Sequence, residues 1–453
     1  MSLQQMFSRS VLVMLLLWSV PLWAGSNNFV SIADIHFDPF DVCANTAPCP
    51  LIQQLEAAPA TVWAQILAAG DSANPVNKHD TNFVLLQSAL SAIQTNTSKN
   101  PPQFILVLGD LLAHHFNEKY QKYSADKSQA GYQQFVKKTI AFLTQQFDHT
   151  FPTTDVYMTI GNNDSYLGDN ISEINGAFFA DTEKQWSQLI RSEKSRQQMQ
   201  ATFASAGYYA VDLTGQSGLR LIVLNSSIFS PHAIVSGKGA TDELDWFDKQ
   251  LQLAKEQNIK VLIAEHIPAG IDVFASVNQQ PFKIIEMWQP ELTARYVKAV
   301  QAYGTNIIGI LTAHTHSDSF QIITTPHGNK IPVSSTPSIS PVNGNNPGFK
   351  IYNFNSHYLL NCTTFYTPLA ILDWQQEYDF DKTYRAKALV TGIEQIRAFD
   401  NLAQTYQLYY DTTSNTDPIH HLFNPYYWCQ LSVVTATEYQ ACMAFTNSYE
   451  EST

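Results

Sequence analysis

The stretch LTAHTHSDSF, residues 311–320, sets His314 and His316 one residue apart at the end of an apolar run. An extended chain points positions i and i+2 to the same face, and imidazole is the commonest side-chain metal ligand. One such pair is also an ordinary polar strand edge, so its meaning depends on partners elsewhere. Four other apolar runs end on the same kinds of residue. NFVSIADIHFDPF ends at Asp34 and His36, PPQFILVLGDLLAHH at Gly109-Asp110, TDVYMTIGNNDSYLGD at Gly161-Asn162, and IKVLIAEHIPAG at His266. Singly, an Asp after a strand is a turn residue and a lone His a satisfied polar group. Together, Asp34, His36, Asp110, Asn162, His266, His314 and His316 are too many N/O donors for one tetrahedral ion. They suit two ions sharing a carboxylate, with Asp110 as the bridge. Such a pair, roughly 3.5–4 Å apart, acidifies a bridging water and clamps phosphoryl oxygens for in-line attack.

The elements that must position these residues follow from the same pattern. Each run is a few apolar residues long, the length of a buried strand rather than a helix. Between the runs lie helical segments. TNFVLLQSALSAIQ follows Asp80 and Thr81 as cap candidates and spaces Val84, Leu85, Ala89 and Ile93 along one face. GYQQFVKKTIAFLTQQF and TDELDWFDKQLQLAKEQ behave likewise, with Thr241 a cap candidate for the latter. Strands alternating with helices predict an α/β architecture, and functional groups of such sheets collect at the carboxyl ends of strands. From about 353 to 445 the chain becomes rich in Tyr, Asn, Thr and Gln and reads as a C-terminal helical subdomain, leaving 28–352 as the catalytic domain.

Composition sets limits. Hydrophobic residues are 45% of the 453 and charged residues only 14%, which supports a sizeable core and excludes broad disorder. A net charge of −13 argues against a nucleic acid duplex held on a basic face. A small anionic substrate stays open, because bound metal would supply local positive charge. Residues 1–24 carry Arg9, an apolar run from Val11 to about Leu17 and small residues around Ala24, the pattern of a signal peptide. Secretion or periplasmic export is the expectation, with no transmembrane span in the mature chain. Five cysteines fit an oxidising compartment, and two local disulfides, Cys43–Cys49 and Cys429–Cys442, would leave Cys362 unpaired. Asn96, Asn170, Asn225 and Asn361 begin glycosylation sequons that matter only in a eukaryotic secretory route.

The ordered set Asp-x-His, Gly-Asp, Gly-Asn-Asn-Asp, lone His and His-x-His resembles the calcineurin-like metallophosphoesterases over residues 30–316. DIHFDP, GDLLAH, EHIPAG, AHTHSDSF, PSISPVNGNNPGFKIYNF and WQQEYDFDKTY are similar to the acid sphingomyelinase-like phosphodiesterases in particular. The resemblance implies a two-sheet β-sandwich flanked by helices with a helical C-terminal subdomain, and two divalent ions, zinc above all. Asp34, His36, Asp110 and His316 would hold one ion; Asp110, Asn162, His266 and His314 would hold the other. His114, four residues after Asp110, stands where the family has a proton donor, with His115 beside it a solvated loop residue. Ala113 occupies the position of the tyrosine of purple acid phosphatases, so a tyrosinate-bound ferric ion is not expected. Ala313 replaces the usual Gly before His-x-His. Asn163 stands where many relatives have His; it cannot donate a titratable proton but can hydrogen-bond a phosphoryl oxygen. Asp38 and Asp318 would orient the ligand loops.

The resulting expectation is an exported metal-dependent phosphodiesterase that works by attack of a metal-bridging hydroxide. Its substrate would be a small phosphate ester, nucleotide, CDP-choline-like or sphingomyelin-like, or a phospholipid headgroup. Little sequence lies between residue 24 and Asp34, so the saposin-like module of acid sphingomyelinase itself is not expected, which favours a soluble or headgroup-sized ester. Phosphomonoesterase activity and a catalytically silent binding protein of the same fold are the alternatives.

Overall fold

A computed structural model of the chain describes residues 27–43, 46–70, 74–213, 215, 218–236, 238–278, 283–413 and 425–450. The expected signal peptide, 1–24, lies outside the described residues. All five apolar runs are strands. In chain order the strands are β1 (Asn27–Ile32), β2 (Phe104–Val107), β3 (Asp155–Met158), β4 (Ile171–Glu173), β5 (Tyr209–Asp212), β6 (Leu219–Val223) and β7 (Ile234–Ser236). There follow β8 (Lys260–Ala264), β9 (Ile307–Thr312), β10 (Phe320–Thr324), β11 (Lys330–Ser335), β12 (Gly348–Phe354), β13 (Leu359–Tyr366) and β14 (Gln375–Asp379).

They form two six-stranded sheets, β14-β13-β12-β1-β2-β3 and β10-β11-β9-β8-β6-β5, with β4 and β7 paired apart. β1, β2 and β3 run parallel in the first sheet, as do β6, β8, β9 and β11 in the second. This is the expected two-sheet sandwich. Parallel strands covered on both faces read as unbroken apolar runs, and here each face has its own partner. Leu221, Val223, Leu262, Ala264 and Leu311 join Phe29, Phe104, Leu106, Tyr352 and Phe354 in the core between the sheets. The alternate residues Ile222, Val261, Ile263 and Ile310 pack outward with Leu244, Phe247 and Leu251 of helix Gly239–Glu256 and Tyr296 of helix Pro290–Ala302.

Three sequence readings shift. Helix Phe83–Thr97 is capped by Asn82, whose side chain accepts the Leu85 N–H at 3.0 Å, rather than by Asp80 or Thr81. Asp80 is turned away by a stronger claim from His114 and Lys119. Helix Gly239–Glu256 begins two residues before Thr241, which therefore lies inside it. The change of character placed near 353 falls within β12, and β13 and β14 extend the first sheet before helices take over at Phe380. Polar alternation in LLNCTTFY hid an edge-side strand from a search for apolar runs. The cysteines pair as expected, Cys43 with Cys49 and Cys429 with Cys442, and Cys362 is a buried thiol.

Candidate metal centre

The carboxyl ends of β1, β2, β8 and β9 bring their loops into one laced cluster. Asp34 and His36 donate backbone N–H groups to the carbonyls of Gly109 and Asp110, at 3.2 and 2.9 Å, and Ala313 donates to the carbonyl of His266 at 2.9 Å. Five candidate ligands adopt left-handed backbone angles: Asp34 (φ 48°), His36 (44°), Asp110 (51°), His314 (69°) and His316 (60°). Non-glycine residues rarely take this conformation, and where they do the strain marks functional sites. Ala313 is not among them, which explains why a methyl group is tolerated there. The two motif glycines are required by closeness. A Cβ on Gly109 would meet the Gly161 nitrogen at 2.7 Å, and one on Gly161 would meet the Asp110 nitrogen at 2.1 Å.

Side chains converge accordingly. His36 Nε2 lies 3.5 Å from Asp110 Oδ2 and 3.1 Å from His316 Nε2, while His316 Nε2 lies 3.8 Å from Asp34 Oδ1. On the other side, His266 Nε2 lies 3.2 Å from Asp110 Oδ2 and 3.1 Å from Asn162 Oδ1. His314 groups with Asp110 and His266, their candidate ligand atoms all within 4.8 Å of one another. Asp110 is thus common to both halves. All seven expected ligands are brought together.

The donor set tests whether a cation fits. His36 Nδ1 donates to the Leu112 carbonyl at 3.0 Å and His266 Nδ1 to the Leu108 carbonyl at 2.7 Å. Each second nitrogen then directs a lone pair at carboxylate, amide or imidazole acceptors. Outer hydrogen bonds of this kind orient metal-bound histidines. Burial and the neighbouring Asp110 push Asp34 up to about 8, against the pull of His266. Burial and His114 lower His36 to about 4, and burial and His266 lower His314 to about 3. Against burial, His266 and His36 hold Asp110 well below the usual carboxylate range, and Asp110 in turn lifts His266 to about 9. Without a cation the cluster needs a proton on a buried imidazole; divalent ions answer all the lone pairs at once.

Beside the cluster, the His114 ring stacks on His36 at 3.9 Å. Its Nδ1 donates to Asp80 Oδ1 at 2.8 Å and its backbone N–H to Asp80 Oδ2 at 3.1 Å. Lys119 Nζ bonds Asp80 at 2.9 Å and Asp38 at 2.7 Å, so His114 ends a chain of alternating charge. His115 is exposed, in keeping with a loop role. Asn163 gives its backbone N–H to Asp110 Oδ1 at 2.8 Å, and its buried Nδ2 has no hydrogen-bond partner among the described residues. An orphaned donor there is consistent with a contact to a phosphoryl oxygen.

Sequence reasoning passed over two residues. Asp80 read as a helix cap. Asp164, the last residue of GNND, was not singled out, yet its carboxylate gathers the N–H groups of Leu111, Leu112 and Gly161 at 2.9–3.1 Å and so ties the β2 loop to the β3 loop. Asp318 pairs with Lys350 at 2.6 Å and accepts hydrogen bonds from Thr364 and Tyr378, which anchors the His-x-His loop to β12, β13 and β14.

A two-sheet sandwich with this cluster at its strand ends is the architecture of the calcineurin-like phosphoesterases. The family model for calcineurin-like phosphoesterase matches residues 28–318, and the chain belongs to that family. It is a hydrolase acting on phosphoric ester bonds, and its family works through dinuclear metal centres. Among named proteins it is similar to acid sphingomyelinase-like phosphodiesterase 3b of Homo sapiens, 24% identical over 474 residues that cover 95% of this chain and 94% of that one. It is 23% identical to cyclic GMP-AMP phosphodiesterase SMPDL3A of Mus musculus, over 62% of this chain and 67% of that one. Sphingomyelinase phosphodiesterase D of Dictyostelium discoideum is 25% identical, over 67% of this chain and 66% of that one.

Proposed function

We propose that the chain is an exported phosphodiesterase that cleaves small phosphodiesters, of the nucleotide, CDP-choline-like or headgroup kind, with two divalent ions, most simply zinc. The observation that carries this is the convergence of Asp34, His36, Asp110, Asn162, His266, His314 and His316 beside the His114–Asp80 pair. Asp34, His36, Asp110 and His316 would hold one ion, and Asp110, Asn162, His266 and His314 the other. When bound, such ions supply Lewis acidity toward water and toward phosphoryl oxygens. The chain's own residues do the rest. Asn163 Nδ2 binds and orients a phosphoryl oxygen. His114, held in one orientation by Asp80, gives its proton to the departing oxygen. The names of the relatives, all phosphodiesterases, support cleavage of a diester.

The test is Asp110→Asn, which removes the shared charge. Metal content measured by mass spectrometry should fall, and hydrolysis of bis(nitrophenyl) phosphate should drop about thousandfold or more. Chelation of the wild type should do the same reversibly. Full activity of the variant in metal-free buffer would overturn the reading, and a marked preference for the mononitrophenyl ester would replace it with a phosphomonoesterase.

A further inference from the structure

His114 is steered by a carboxylate that needs support of its own. Stacking on His36 restrains one face of the imidazole, but the side chain remains 32% exposed. Its orientation therefore depends on the bond from Nδ1 to Asp80, which is buried. Both oxygens of Asp80 are engaged. Oδ1 takes His114 Nδ1 at 2.8 Å and the Ser340 hydroxyl at 3.3 Å. Oδ2 takes the His114 backbone N–H at 3.1 Å and Lys119 Nζ at 2.9 Å. The hydroxyl and the backbone N–H are neutral donors, so Lys119 supplies the full positive charge.

A second carboxylate makes that charge necessary. Asp38 lies two residues beyond the candidate ligand His36, and its loop is laced to that of Asp80. Asp38 donates its N–H to the Thr81 carbonyl at 2.8 Å, and Thr81 donates to the His36 carbonyl at 3.1 Å. Backbone pairing thus brings two buried carboxylates into repulsion. Lys119 Nζ bridges them, with Asp38 Oδ2 at 2.7 Å. The lysine is braced from outside the ligand loops. Its helix, Phe116–Tyr123, is seated by Phe116 and Tyr120 against Tyr132 and Phe135 of helix Gln129–Thr150. Against burial, Asp38 and Asp80 hold its ammonium above the ordinary lysine value, so it stays charged. Without that cation, repulsion favours an Asp80 side chain turned away from Asp38, and a turned Asp80 frees the His114 ring.

We propose that Lys119 is a positioning residue for the reaction. By bridging Asp38 and Asp80 it keeps Asp80 on His114 Nδ1, and the ring then presents Nε2 to the departing oxygen. This rests on the reading of His114 as the proton donor of a phosphodiesterase.

The metal-loaded full chain tests this with two diesters. The leaving group of glycerophosphocholine needs a proton, and that of bis(nitrophenyl) phosphate does not. Lys119→Met keeps the length of the side chain and removes the charge. Its kcat should fall roughly tenfold on the first diester and far less on the second, with KM and metal content close to wild type. Lys119→Arg keeps the charge and should recover most of the loss. In an Asp80→Asn background, where the repulsion is gone, Lys119→Met should cost nothing further. Should Lys119→Met fail to fold, Lys119→Gln carries the same expectations. Proton NMR adds a readout without turnover. The His114 Nδ1–H resonance, identified by its disappearance in His114→Ala, should vanish in Lys119→Met and persist in Lys119→Arg. Failure of the wild type to cleave either diester, or equal rates lost on both in His114→Ala, overturns the underlying reading and the proposal together. A split in His114→Ala with none in Lys119→Met overturns the proposal alone. Equal losses on the two diesters in Lys119→Met, or losses that add to those of Asp80→Asn, make Lys119 a structural residue and also overturn it.

Discussion

His114 is held by a buried carboxylate on one side and stacked on a candidate metal ligand on the other, which leaves one ring nitrogen for substrate. General acid catalysis is worth about 10²–10⁴ in rate when the leaving group is poor, and little when it departs unaided. His114→Ala should therefore hydrolyse an activated nitrophenyl ester nearly as well as the wild type. The same variant should lose about a hundredfold or more on an alkyl ester. Asp80→Asn, which keeps a side-chain acceptor but removes the charge, should show the same split in weaker form. An equal loss on both esters would show that His114 supports a metal or the phosphate. His114 was singled out by the family resemblance, four residues after Asp110. Asp80 was not, since its partner lies 34 positions away and nothing local distinguishes it from a cap.

At the scale of elements, the strand ends were legible because burial on two faces leaves an unmistakable apolar run, and the polar residue that ends it is conspicuous. What stayed hidden were choices settled by tertiary partners, such as Asn82 as the cap and β13 as a strand. A further case is Glu243, on the inner face of helix Gly239–Glu256. Its Oε1 accepts the Asn225 N–H at 2.7 Å, just after β6, and its Oε2 has no hydrogen-bond partner among the described residues. Burial, reinforced by the nearby Glu265 and opposed by the Asn225 N–H, raises its carboxyl well above the ordinary 4.5. A raised carboxyl contributes full stability below its unfolded value and loses it as pH rises toward the folded one. Stability should then decline from about pH 5 upward, by at most about 1.4 kcal/mol per pH unit from this group. Glu243→Gln keeps the acceptor and cannot ionise. Its melting temperature should exceed that of the wild type by a margin that grows between about pH 5 and pH 8. A constant or shrinking margin would mean that Glu243 is already ionised in the fold.

Across the whole molecule, the two disulfides sit at opposite ends of the described chain. Cys43–Cys49 closes the turn between the Asp34 loop and helix Pro50–Ala57, and Cys429–Cys442 ties helix Pro425–Gln430 to helix Ala436–Glu450. The second pair holds the segment carrying Tyr427, which lines the cavity beside His314 and His316, against the body of the fold. Local loops of this kind are worth up to about 3 kcal/mol each through the entropy they remove from the unfolded chain. Their persistence requires an oxidising compartment, which joins this arithmetic to the proposed export. Thiol labelling reads both at once. The native protein should take up no label, because four cysteines are bonded and Cys362 is buried. Denaturation without reductant should expose one thiol, and denaturation with reductant all five. Cys442→Ser should lower the melting temperature by releasing helix Pro425–Gln430 from helix Ala436–Glu450. Five reactive thiols in the unreduced, denatured protein would contradict both the bonds and the compartment.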